Sequence, residues 1–382
     1  LNSNPPDRHE NSATPGATAT YALVGWPLGF SLSPAMHNAA FAALGIPATY
    51  ILRPTPPADL AVAIDALREG SLAGANITVP HKVAVRHLLD DESDLATGIG
   101  AVNTVVRGPH GLRGENTDPA GFRQALEAVD RLDGRGRRAL VLGAGGAARA
   151  VVHTLIRAGY AVKILSRSSS QSGVLAAQLY RAHPGAPLAT GLLTPAGIVA
   201  DAATAEILVN ATPVGSAAPA NGTAGAPGAP GTFRPDSHLP DTRWSDSLWP
   251  ASTPIPGHLT VIDLVAWPPT TALVAHAHAS GAQAIGGFEM LLGQAAHAFT
   301  LWTGQPAPIE VMRAAGLHAI AENSPSPSLI GGGGRGEGGL GPPTPLYGAV
   351  PPVGDSAAGQ PSCSPRPSSE GSSGATARPC WM

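Results

Sequence analysis

Five short stretches carry polar side chains where packing alone does not call for them. SLSP sets Ser31 and Ser33 two residues apart, and GANITVPHK puts Asn76 and Thr78 on one face of a short strand, with Lys82 just beyond it. GAVNT places Asn103 inside an apolar run, GENTDPAGF supplies Asp118, and GFEMLLGQAA sets Gln294 one helical turn after Met290. Most of these groups are neutral donors and acceptors; one ammonium and one carboxylate complete the set. Such an inventory suits a small polyhydroxylated acid, whose hydroxyls need hydrogen-bond partners more than charges. A lysine and an aspartate held together can also move a proton, as reduction of a ketone by hydride requires when the alkoxide forms. Each residue has a plainer use as well. Ser33, followed by Pro34, reads as a helix N-cap, Asn103 as a satisfied buried amide, Lys82 as a solvated lysine at a helix start and Asp118 as another cap.

A second kind of chemistry lies in ALVLGAGGAARAVV, which reads as a buried strand, a glycine turn and a helix start. The turn Gly143, Ala144, Gly145, Gly146, Ala147 lets the backbone approach a pyrophosphate, and free amides at the helix N-terminus favour its charge. On its own the pattern is weak, since many glycine turns only end strands. The following strand discriminates further. A site for NAD usually closes that strand with Asp or Glu, which holds the ribose 2′-hydroxyl. Here it closes with Ser166, Arg167 and Ser168. A guanidinium flanked by hydroxyls suits a 2′-phosphate, which favours NADP. The plainer use of Arg167 is a solvated surface arginine.

The elements that must position these residues are legible from periodicity. Residues 21–25, 49–53 and 75–79 read as strands, 58–68 as a helix with Leu60, Ile64 and Leu67 on one face, and 81–89 as another helix. Ser33 and Pro34 open a helix that Gly45 and Pro47 close. Residues 101–106 and 112–115 read as a hairpin around Gly108 and Pro109. From Arg138 the rhythm becomes strand 139–142, turn 143–146, helix 147–158 and strand 161–165. Buried strands at 207–209 and 260–265 and helices at 290–301 and 309–315 follow. This alternation predicts an α/β fold with a parallel sheet and helices on both faces.

Composition bounds the rest. Residues 1–18 and 323–382 offer little to bury and cannot offset the entropy lost on folding, so both are expected to be disordered. About 300 of the 382 residues remain, enough for two domains. The Pro/Gly/Ala-rich stretch 216–257 reads as a surface insertion. Cys363 and Cys380 both fall in the tail, so no disulfide framework is expected. No leader or spanning apolar run is visible, and a cytoplasmic, reduced setting is the expectation. A net charge of −3 without a basic stripe argues against nucleic acid. No metal site is expected.

Taken in order, GWPLGFSLSPAMHNAAF, GANITVPHK, GAVNT, GENTDPAGF, GAGGAARA, NATPVG and GFEMLLGQAA closely resemble the shikimate dehydrogenase family, over about residues 20–315. GANITVPHK followed by NTDPAGF is the most specific part. The resemblance implies NADPH-dependent reduction of 3-dehydroshikimate to shikimate, with Lys82 and Asp118 as the catalytic dyad. It implies substrate contacts at Ser31, Ser33, Asn76, Thr78, Asn103 and Gln294 beside the dyad. Cofactor contacts are implied at Gly143, Ala144, Gly145, Gly146, Ala147, Ser166, Arg167, Ser168, Thr212, Leu264 and Gly287, with Met290 and Asp94 as further positions. It also implies two lobes: an N-terminal α/β substrate-binding domain, 19–117, completed by helices at about 288–320, and a Rossmann-type doubly wound NADP-binding domain, 118–287. The substrate would lie between them, in a monomer or homodimer.

Two positions depart from the family pattern. Phe30 stands where relatives usually carry His before the SxS serines, and Asp263-Leu264-Val265-Ala266-Trp267-Pro268 has alanine where D-x-x-Y-x-P has its tyrosine. Successive strand side chains face opposite ways, so Trp267 is not expected to replace the missing ring unless the strand has already ended. A roomier, less polar wall beside the substrate carboxylate is expected instead. Three rival readings remain. A quinate/shikimate dehydrogenase using NAD conflicts with Arg167, and a folate- or tRNA-linked reductase would lack the SxS and NTD elements. A non-catalytic sensor of the same acids would have no need of both Lys82 and Asp118.

Overall fold

The computed structural model describes residues 18–217 and 247–324. The expectations for 1–17, for most of the insertion and for the tail with Cys363 and Cys380 lie outside the described residues.

The first sheet is built from β1 (Ala19–Gly25), β2 (Ala48–Pro54), β3 (Gly74–Ile77), β4 (Asp91–Glu92), β5 (Thr104–Gly108) and β6 (Gly111–Glu115), interleaved with α1 (Ser33–Ala43), α2 (Leu60–Arg68) and α3 (Asp94–Ile99). Its order is β2-β1-β3-β5-β6-β4. The first three strands are parallel, while β5 runs antiparallel to β3 and β6. Alternation along β1 buries both faces: Ala22 and Val24 join the α2 side with Ile64 and Leu67, and Tyr21 and Leu23 join the α1 side with Phe41. His37 of α1 is fully buried there and stacked on Tyr50 at 4.3 Å. Neither of its ring nitrogens has a hydrogen-bond partner among the described residues, and burial pushes its pKa down to about 3.

Where a helix over 81–89 was expected, the chain forms turns and one 3-10 segment, Ala84–Leu88. The carbonyl of Lys82 explains the interruption. It accepts the N–H of Val102 at 2.8 Å, so it is committed to the segment that leads into β5 rather than to a helical ladder.

The second sheet contains β7 (Arg138–Leu142), β8 (Ala161–Ser166), β9 (Leu188–Leu192), β10 (Ile207–Asn210), β11 (Thr260–Asp263) and β12 (Gln283–Ile285). Its helices are α4 (Asp118–Ala128), α5 (Gly146–Arg157), α6 (Ser169–Ala182), α7 (Pro195–Ala202) and α8 (Ala272–Ala279). All its strands are parallel, in the order β12-β11-β10-β7-β8-β9. The winding reverses between β7 and β10, which opens a crevice at their carboxyl ends.

Two last helices, α9 (Phe288–Thr303) and α10 (Ile309–Asn323), return to the first sheet. Phe288, Leu292, Phe299, Trp302 and Met312 enter its core, while Met290 joins the core of the second sheet. Helix α9 meets α4 backbone to backbone: a Cβ on Gly121 would stand 2.2 Å from the carbonyl oxygen of Met290. The expected insertion, 216–257, is not surface throughout. Leu248, Trp249 and Ile255 are buried in the second core, and Trp249 donates its indole N–H to the carbonyl of Thr253 at 2.7 Å. No described helix is long and apolar enough to cross a membrane.

Candidate active site

The turn after β3 and the start of α4 bring Lys82 and Asp118 together. Lys82 Nζ donates to Asp118 Oδ2 at 2.5 Å, and the two side chains are only 12% and 4% exposed. Asp118 Oδ1 accepts from Asn103 Nδ2 at 2.7 Å. Asn103 is held in turn: its Oδ1 accepts the Thr117 N–H at 2.7 Å and the Thr104 hydroxyl at 3.0 Å. Asn76 donates to Thr104 Oγ1 at 3.0 Å and accepts from the buried phenol of Tyr50 at 2.8 Å. Gln294, from α9, brings Oε1 to 3.5 Å from Asn103 Nδ2. Tyr50, Thr104 and Thr117 are not singled out by sequence reasoning. The signal for two of them is present, since Asn103-Thr104 and Asn116-Thr117 repeat one dipeptide.

The plainer uses of Lys82, Asp118 and Ser33 do not hold, while that of Asn103 does: it is a buried amide with both its oxygen and its nitrogen hydrogen-bonded. Asp118 opens α4, but its carboxylate bonds Lys82 and Asn103 rather than helix amides. Ser33 is not the cap of α1; its backbone N–H donates to Ser31 Oγ at 3.1 Å, and the two hydroxyls bond each other. Thr78 sits just past β3 and packs so closely on Gly25 that a Cβ there would lie 2.3 Å from its methyl.

The glycine turn faces the same corner. Gly143 has φ +108°, and a Cβ on it would press on the Ala211 carbonyl oxygen and the Thr212 methyl, both at 3.0 Å. A Cβ on Gly146 would stand 2.6 Å from Lys82 Cβ. Around Gly145 there is open space: a Cβ would meet nothing within 4 Å. A bare turn, a helix N-terminus and free room at the switch point together fit a pyrophosphate.

At the end of β8, Ser166 donates to the Ser168 carbonyl at 2.7 Å, and Ser168 caps α6. Arg167 is exposed, with no hydrogen-bond or ion-pair partner among the described residues. Leu264 and Gly287 meet: a Cβ on Gly287 would lie 2.4 Å from the Leu264 carbonyl oxygen, and its N–H donates to the Val265 carbonyl at 3.1 Å. Met290 packs in the second core. Asp94 stands apart, exposed on the first turn of α3, whose Gly98 lies against Ala182 at the far end of α6.

One buried acid escapes the sequence reading. Asp263 is fully buried at the end of β11, and burial raises its pKa to about 6. The two positions that depart from the family pattern also meet. Strand β11 ends at Asp263, so alternation no longer governs Trp267, whose ring packs on Phe30 with centroids 5.1 Å apart. Trp267 thus stands against Phe30, the neighbour of Ser31.

Comparison with known proteins agrees over most of the chain. Residues 23–105 match the shikimate dehydrogenase substrate binding domain and 287–315 the shikimate 5'-dehydrogenase C-terminal domain. The chain is 39% identical to the shikimate dehydrogenase (NADP(+)) of Moorella thermoacetica, over 82% of this chain and 97% of that protein. It is 39% identical to that of Symbiobacterium thermophilum, over 82% and 98%. The solved shikimate 5-dehydrogenase of Thermus thermophilus, in complex with NADP(H) and shikimate, is 34% identical, covering 79% of this chain and 100% of that one with a TM-score of 0.62. The quinate dehydrogenase of Corynebacterium glutamicum, in complex with NAD, is 31% identical, covering 79% and 99% with a TM-score of 0.63.

Proposed function

This chain belongs to the shikimate dehydrogenase family, and from that premise we propose how its own residues perform the family's reaction. The enzyme reduces 3-dehydroshikimate reversibly to shikimate with NADPH. When bound, NADPH supplies the hydride; the chain supplies the proton. Lys82 and Asp118 act as one acid/base unit at the substrate's C3 oxygen, and the observation that carries this role is their 2.5 Å contact in a corner also bounded by Gly146. Ser31, Ser33, Asn76, Thr78, Asn103 and Gln294 hold the substrate. The turn from Gly143 to Ala147 holds the pyrophosphate, Arg167 with Ser166 and Ser168 the 2′-phosphate, and Thr212, Leu264 and Gly287 the nicotinamide side. Residues 19–117, with the helices of about 288–320, form the substrate lobe, and 118–287 the NADP lobe. The reaction runs in the cytoplasm, in a monomer or homodimer.

NADPH oxidation with 3-dehydroshikimate, run beside NADH and 3-dehydroquinate, tests this reading; preference for NADH and dehydroquinate would overturn it. Arg167→Ala isolates the cofactor choice. A hydrogen bond to a charged group is worth about 1.5–3 kcal/mol, so NADPH should bind about 10- to 150-fold more weakly and NADH almost unchanged. Equal weakening of both would make the arginine structural.

A further inference from the structure

The end of β11 carries a device that the reaction itself does not call for. Asp263 Oδ1 accepts from Asn210 Nδ2 at 2.9 Å and from the Val265 N–H at 3.1 Å, and Oδ2 accepts from the Thr271 hydroxyl at 2.7 Å. Thr271 also caps α8 by accepting from the Val274 N–H, so its proton is directed at Asp263. The second proton of Asn210 Nδ2 goes to the Val214 carbonyl at 3.0 Å. Asn210 Oδ1 therefore points the other way and accepts both the N–H and the hydroxyl of Thr212, at 3.0 and 2.7 Å. The Thr212 hydroxyl accepts from the Val214 N–H, and the Asn210 carbonyl accepts from the Leu264 N–H.

The sense of every bond is thus set. The N–H groups of Ala211, Thr212, Val214, Leu264 and Val265 and the proton of the Thr212 hydroxyl are all engaged inside the protein. Pro213 has none to give. What this wall can offer a ligand is oxygen. The neighbouring glycine turn is the opposite, a helix N-terminus that offers donors. Strand order assigns the two ends: β8 with Arg167 lies on one side of β7, and β10 and β11 lie on the other. With the pyrophosphate over β7 and the adenosine phosphate toward Arg167, the nicotinamide half must run toward this oxygen wall.

We propose that Asp263 is a positioning residue of the cofactor site, whose buried carboxylate turns the donors of segments 210–214 and 264–265 inward so that they meet the donating carboxamide of the nicotinamide with acceptors only. This rests on NADPH being the cofactor. The burial that raises its pKa to about 6 leaves it largely ionised above neutrality, the form in which it accepts from all three partners.

The test compares equilibrium binding of NADPH with that of its reduced 3-acetylpyridine analogue, which carries a methyl where the carboxamide carries its NH₂. Wild-type enzyme should favour NADPH by about two- to tenfold, the worth of one neutral hydrogen bond. Asp263→Leu, nearly isosteric and free of a desolvated charge, should bring that ratio close to one. Asp263→Asn can still turn an oxygen to Asn210 and Val265 and its amide to the Thr271 hydroxyl, so it should restore most of the preference. A leucine variant that weakens both ligands by the same factor overturns the proposal, because a merely structural role would do that. If the leucine variant does not fold, Asn210→Ala removes the next link and makes the same comparison. If wild-type enzyme does not bind NADPH at all, the cofactor reading fails before this one is reached.

Discussion

Two walls, one around the dyad and one beside Ser31, are built on different principles. In one, Asn76, Asn103, Thr104, Thr117, Asp118 and Lys82 fix one another's orientation, so that no amide can turn without breaking several bonds. In the other, Phe30 and Trp267 touch by ring contact alone, with planes tilted at 57°. The first wall is built from the motifs that carry the resemblance; the second holds Phe30 and Trp267, at and beside the two positions that depart from it. An interlocked polar network is unforgiving, because a change at one member leaves buried partners unsatisfied. A pair of rings can be exchanged with a local cost. The proposed proton chemistry belongs to the interlocked wall, where a change spreads, and not to the aromatic pair, where it stays local.

The largest effect expected from this contrast is at Lys82. Positioned acid/base groups contribute about 10²–10⁴ in rate, so Lys82→Ala should lose kcat by that factor while NADPH binding holds. Asp118→Asn should match it, and the double variant should be little worse than either, because the pair acts as a unit. Near-normal turnover of Lys82→Ala would remove the proton role. Next comes Asn103, which touches the dyad without being part of it. Asn103→Leu leaves Asp118 Oδ1 and the Thr117 N–H without their shared partner. A hydrogen bond to a charged group is worth about 1.5–3 kcal/mol, so kcat/KM should fall about 10- to 150-fold. If it falls no further than for a leucine on the aromatic wall, the network is not interlocked in the sense argued.

Much of this wall is legible in the sequence, because its residues cluster in short motifs set at the ends of strands, GANIT and GENTD at the close of β3 and β6 and GAVNT at the start of β5. The apolar strands are legible too, being runs bounded by glycine or proline. The helix α6 is not: its buried positions are only Ser172, Leu175 and Leu179, a thin stripe interrupted by Gly173. Helix α4 has Phe122, Ala125 and Leu126 at helical spacing, but its first residues read as a catalytic motif. Strand β12 is three residues long, too short for any period. The orientation of the amides is beyond sequence reading, because it is set by contacts such as Tyr50 to Asn76 and Asn103 to Gln294, far apart along the chain. Asp263 is hidden in part for the same reason: Val265 and Thr271 follow it closely, but Asn210 lies on β10 and only the sheet brings it alongside. The alternation rule misplaces Trp267 because it does not hold past the end of the strand.

The smallest expected effect belongs to the aromatic corner. Ala266 sits beside Trp267, where relatives carry a phenol. A neutral hydrogen bond from a tyrosine at this position would contribute about 0.5–1.5 kcal/mol. An aromatic pair is worth about as much beyond its buried area, and a new ring next to Trp267 would crowd its contact with Phe30. Gain and loss nearly cancel, so Ala266→Tyr alone should shift the KM for shikimate by no more than about threefold. Phe30→His shrinks the opposing ring and restores a polar group beside Ser31. In the double variant the phenol has room, and KM should fall below that of either single variant while kcat changes little, the signature of binding made equally in ground and transition states. The cycle should show a coupling of more than about 0.5 kcal/mol, since only residues that share a contact depart from additivity. Additive effects would mean that positions 30 and 266 answer to the substrate separately. A tenfold gain from Ala266→Tyr alone would mean that the wall had stood open, and that Trp267 fills less of it than its contact with Phe30 implies.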